Sequence, residues 1–91
     1  MAEHVAWVVE RADGGRGFGT TGGHFHWNWG CDGFRTCVLN GVAWIAKLDI
    51  PSGGVPSPRP TAEDLLGLLE REPPKGMNLD HARKIIKQSN P

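Results

Sequence analysis

The 91 residues suffice for at most one small domain, whose hydrophobic core has to be slender for its surface. Ten basic residues balance ten acidic ones, so there is no electrostatic footprint for nucleic acid or an anionic membrane. No apolar run approaches the roughly 20 residues that a membrane span needs, and two cysteines, Cys31 and Cys37, are too few for a disulfide scaffold.

Residues 1–15 (MAEHVAWVVERADGG) lack the charged start and long apolar stretch of a signal peptide, and with free thiols this gives a cytoplasmic expectation. Residues 4–11 (HVAWVVER) are valine-rich and predict a short strand, buried on both faces because its apolar run is continuous. Asp13, Gly14 and Gly15 signal a turn, after which residues 16–21 (RGFGTT) return as a second strand with an open register. Asp32 is a plausible N-cap for a helix over 34–48. Phe34, Cys37, Val38, Gly41, Val42, Ile45 and Leu48 recur at helical spacing there. Cys37 falls on the apolar stripe as a small core residue. Gly41, costing about 1 kcal/mol against alanine in a helix, predicts a closely packed neighbour.

Residues 50–60 (IPSGGVPSPRP) hold four prolines and two glycines and read as an extended linker. Thr61 to Asp64 resemble a capping box opening a short helix with Leu65, Leu66, Leu68 and Leu69, halted by Pro73 and Pro74. Asn78 or Asp80 caps a last helix carrying Ala82, Ile85 and Ile86. Two short strands and one apolar helix cannot cover one another completely, which points to structure beyond these elements, supplied by self-association or by a partner chain that completes the sheet.

The chemistry concentrates in residues 22–29 (GGHFHWNW). In an extended strand His24 and His26 share one side, which permits an acid/base pair or two metal ligands, while Phe25 and Trp27 face a core. The alternative for closely spaced histidines among aromatics is packing, with ring nitrogens bonded to backbone. Gly22 and Gly23 let the backbone turn or approach a ligand, and Asn28 can orient an imidazole or hydrogen-bond a substrate hydroxyl. A zinc site takes three or four ligands, so His24 and His26 would need a third such as Cys31. Trp27 and Trp29 could stack on sugar rings, though buried packing is the commoner use of such residues.

The run GRGFGTTGGHFHWNW, followed by DGFRTCVLNGVAWIAKLDIP, resembles the end of the ThuA-like (trehalose-utilisation) family. Gly23 and His24 match its Gly-His, and Phe34, Arg35, Leu39, Asn40, Gly41 and Trp44 match its helix signature in type and spacing. The resemblance covers about residues 4–55. It implies an α/β fold: the C-terminal part of a flavodoxin-like, class I glutamine amidotransferase-like three-layer sandwich, with two short strands and a buried helix followed by small helices. Residues 1–55 would belong to that domain, and 56–91 would form a proline-rich linker and helical extension.

The resemblance further implies processing of trehalose-like or keto-disaccharides, with a divalent metal such as zinc as the candidate cofactor. His24 ranks first as pocket residue and His26 second; Gly23, Trp27, Asn28 and Trp29 would line the sugar. The family often carries a carboxylate two or three residues after the histidine, where this chain has His26 and Trp27, and no nucleophilic cysteine is recognisable, so glutamine hydrolysis is not implied. Family members are longer, so the chain reads as part of a pocket and is expected to be inactive alone. The alternative is a non-catalytic carbohydrate- or partner-binding module built on the Trp27/Trp29 loop.

Overall fold

Asp13 organises the first turn: its Oδ1 accepts from Gly15 N at 2.8 Å, and Arg11 N donates to Gly15 O at 2.8 Å to close the hairpin. That turn joins β1 (Ala6–Glu10) to β2 (Arg16–Thr20), which pair antiparallel with Trp7 opposite Gly19 and Val8 opposite Phe18. The computed structural model describes residues 4–69 and 71–91. Three α-helices follow: α1 (Asp32–Ile45), α2 (Ala62–Gly67) and α3 (Leu79–Ser89). The chain is thus a small mixed α/β domain with a two-stranded antiparallel sheet and three helices.

α1 begins at Asp32, which lies in its first turn with Cys31 as N-cap, and ends before Lys47, so Leu48 lies beyond it. It packs on β2 where Gly41 meets Phe18: a β-carbon on Gly41 would fall 2.8 Å from the Phe18 ring. Arg16 reinforces the contact, its guanidinium 4.7 Å from the Trp44 ring centre and its Nη1 donating to Trp44 O.

The expected burial of β1 does not occur. Val8 is 59% exposed and Trp7 47%: α1 packs on β2, and among the described residues none covers the outer edge or far face of β1. Cys37 is also exposed, correcting its place in the core, and Val42, Ile45 and Leu48 are exposed with it. Periodicity marked the apolar stripe, but half of that stripe is left exposed to solvent.

The core lies elsewhere. Ala62, Leu65, Ala82 and Ile86 form a buried cluster between α2 and α3, and Trp27, Trp29 and Met77 pack against it. Thr61 and Asp64 make the reciprocal capping box, and Asn78 Oδ1 caps α3 by accepting from His81 N. α2 ends at Gly67, before the prolines expected to stop it; Glu70, within the expected helix, lies outside the described residues. Residues 50–60 are not extended throughout: they turn at Ser52 and Gly53, where Gly54 N donates to Pro51 O, and the segment is held by Asn40 Oδ1 accepting from Val55 N and Arg35 Nε donating to Ser57 Oγ. The radius of gyration, 15.4 Å, exceeds the roughly 12 Å of a close-packed chain this long. Among the described residues no helix is long and apolar enough to cross a membrane.

Candidate functional site

The carboxyl end of β2 opens directly into residues 22–29. They are not an extended strand. Two 3-10 turns, Gly22–His24 and His26–Gly30, replace it, so His24 and His26 are not placed by strand alternation. Asn28 explains the winding, since its Nδ2 donates to Gly22 O at 2.8 Å and ties one turn to the other. Gly22 is needed because the Phe34 ring occupies the space of its missing side chain, 2.5 Å from a built β-carbon.

The two histidines therefore differ. His26 is half-buried, and its ring Nε2 lies 2.6 Å from Leu65 O, which fixes that nitrogen as a donor to a carbonyl. His24 is exposed, and among the described residues its imidazole makes no hydrogen bond; it only meets the edge of Phe25. Phe25 is itself 65% exposed, which corrects its expected place in a core. Trp27 and Trp29 are half-buried against the α2–α3 cluster, and Trp29 also stands edge-on to Phe34 at 4.9 Å between ring centres. Gly23 is exposed, next to the Trp29 ring. Of the predicted site residues, Gly23 and His24 face solvent, whereas His26, Trp27, Asn28 and Trp29 are engaged by the fold.

The metal ligand set does not assemble. Among the described residues no three His, Cys, Asp or Glu side chains converge to hold an ion. Cys31 instead directs its thiol toward Ser89 O at 3.6 Å.

Sequence reasoning missed the charged support under the loop. Arg35 is buried and donates from Nη1 to Trp29 O at 2.9 Å and from Nη2 to Asp32 Oδ1 at 2.5 Å. Arg59 completes the group, its Nε and Nη2 reaching Asp32 at 3.0 and 2.5 Å. Hydrogen bonds from Arg59 first and Arg35 second hold the Asp32 carboxyl far below its usual range. The spacing of Asp32 and Arg35, three apart on a helix, was the available signal. Two open grooves of about 400 Å³ each lie away from His24: one beside Arg59, Arg83 and Lys87, the other beside Val8, Phe18 and Trp44.

Comparison with protein-family models, curated proteins and solved structures gave no significant match.

Proposed function

We propose that the chain is the C-terminal part of a ThuA-like, flavodoxin-like domain acting on a trehalose-like or keto-disaccharide, with His24 as its acid/base residue. The observation that carries the residue assignment is the difference between the loop's polar groups. His26 and Asn28 are bonded to backbone carbonyls, while His24, just past the carboxyl end of β2, makes no side-chain hydrogen bond among the described residues. In the parallel sheet that the resemblance implies, ligands bind outside the carboxyl ends of strands, and an imidazole is the common side chain for moving a proton near neutral pH.

The substrate class rests on the resemblance at Gly23, His24 and the Phe34-to-Trp44 signature. Its residues have structural duties that suit it: Phe34 fills the space at Gly22, Arg35 braces the loop, Asn40 holds the following segment and Gly41 admits Phe18. Among the described residues no third donor joins His24 and His26, so the reading rests on His24 as a proton carrier. The binding-module alternative is weaker because Trp27 and Trp29 have their rings against the core.

The test is a titration of isotope-labelled chain with a keto-disaccharide, followed through the imidazole resonances. Weak binding that shifts His24 and vanishes in His24→Ala, without turnover, supports the reading. Binding that survives His24→Ala while quenching tryptophan fluorescence transfers the site to the tryptophans, and turnover by the chain alone refutes its expected inactivity.

A further inference from the structure

β1 has an outer edge with a definite hydrogen-bonding phase. Val5 O accepts from Thr21 N and Arg11 N donates to Gly15 O, so odd-numbered residues direct their main-chain groups toward β2. The N–H and C=O of Ala6, Val8 and Glu10 therefore point outward. β1 lacks the usual protections of an edge: it contains no proline or lysine and makes an unbroken ladder with β2. Its far face presents Val5, Trp7 and Val9 to solvent.

We infer that this edge is an interface for a second copy of the same chain, joining two hairpins into one four-stranded antiparallel sheet with its two-fold axis at Trp7. The phase restricts identical antiparallel strands to registers that match even residues with even ones. With the axis at Trp7, Ala6 bonds to the partner's Val8 and Glu10 lies across from the partner's His4, and the reverse. On the far face Val5 meets the partner's Val9, and the two tryptophans stand opposite one another. Moving the axis to Val8 sets the Glu10 carboxylate against an alanine, and moving it to Ala6 sets His4 against a valine. Only the Trp7 register pairs apolar with apolar and acid with imidazole throughout. The interface is self-complementary, as a closed dimer requires.

The occupant is distinguishable from a foreign strand by symmetry. At the Trp7 position the two α-carbons form a non-hydrogen-bonded pair about 4.5 Å apart, within disulfide range. The two copies of Val8 are displaced by two residues, roughly 8–9 Å apart and beyond it. In a chain with Cys31→Ser and Cys37→Ser, mild oxidation of Trp7→Cys should give a covalent dimer in high yield, and Val8→Cys almost none. The otherwise unaltered chain should sediment as a dimer at about 100 μM. Glu10→Lys should weaken the dimer at least tenfold, and adding His4→Glu should restore it. Circular dichroism confirms that each variant is folded. A folded wild-type monomer at that concentration, or equal cross-linking at positions 7 and 8, overturns the inference. Because His24→Ala should leave sedimentation unchanged, failure here is separate from failure of the sugar-pocket reading.

Discussion

Arg35 offers the sharpest test of what holds the site loop. It is 8% exposed, and its three donor nitrogens reach Ser57 Oγ at 3.0 Å, Trp29 O at 2.9 Å and Asp32 Oδ1 at 2.5 Å. Arg35→Met keeps the volume of the stem and deletes all three bonds. Asp32 retains Arg59, and the Ser57 hydroxyl can turn to water, so these two losses are partly recovered. The Trp29 carbonyl is under the loop and loses a charged donor, at a cost of about 1–3 kcal/mol. Together the substitution should destabilise the domain by about 2–4 kcal/mol, a large share of the 5–15 kcal/mol typical of folded domains. Arg35→Lys restores the charge without the fork and should recover about half of that. Urea unfolding followed by tryptophan emission measures both, and hydrogen exchange over residues 51–60 reports release of the linker. If both variants unfold within 0.5 kcal/mol of wild type at an unchanged denaturant slope, the guanidinium is not a brace and the reasoning fails.

Leu65 is 1% exposed at the centre of the core, so Leu65→Ala should cost about 2–5 kcal/mol in the same urea assay; a loss under 1 kcal/mol would show that the α2–α3 cluster is not the stabilising core. Gly41→Val drives a side chain into the Phe18 ring and should cost about 1–3 kcal/mol, with loss of the near-ultraviolet signal of Trp44 as α1 separates from β2; an unchanged spectrum and midpoint would contradict that packing. For pH, the carboxyls of Asp32, Asp64, Glu63 and Asp13 are all held below their ordinary values by hydrogen bonds. Depressed folded values mean that the unfolded chain binds more protons in acid, so stability is complete above about pH 5 and declines as pH falls through 4 and below. The melting temperature should follow that course, and Asp32→Asn should flatten its acid limb; a melting temperature that rises on acidification would reverse the sign. His26→Ala removes the bond to Leu65 O and should cost about 1 kcal/mol, and a neutral result would leave His26 free for the role assigned to His24.

The caps of α2 and α3 were legible because they are local: Thr61 with Asp64, and Asn78 with His81, satisfy main-chain groups within one turn. The stripe of α1 was legible too, but a stripe shows which residues are apolar and not what covers them. Cys37 and Val42 share the period of Val38 and Gly41 and still face solvent. The loop misled for another reason. Alternation of histidine and tryptophan over six residues has the period of a strand, yet the chain winds into 3-10 turns tied by Asn28 Nδ2 to Gly22 O and braced by distant residues. The packing of Trp27 and Trp29 on residues that lie 33 or more positions later leaves no local mark at all.

That long-range packing changes how the C-terminal residues should be understood. As a proline-rich linker and extension, 56–91 would be dispensable to the loop. Instead His26 is fixed by Leu65 O, Asp32 N donates to Asn90 Oδ1 at 2.7 Å, and Asn90 Nδ2 donates to Gly30 O at 2.8 Å. α2 and the end of α3 hold the loop at its middle, through His26, and at its C-terminal end, through Asn90, while α1 holds it from the side through Arg35. β1, by contrast, is paired among the described residues with β2 alone. The loop's shape is thus set by the helical half of the molecule, and what is left open is the sheet half. Completing that sheet would add strands beside β1 without disturbing the groups that position His24.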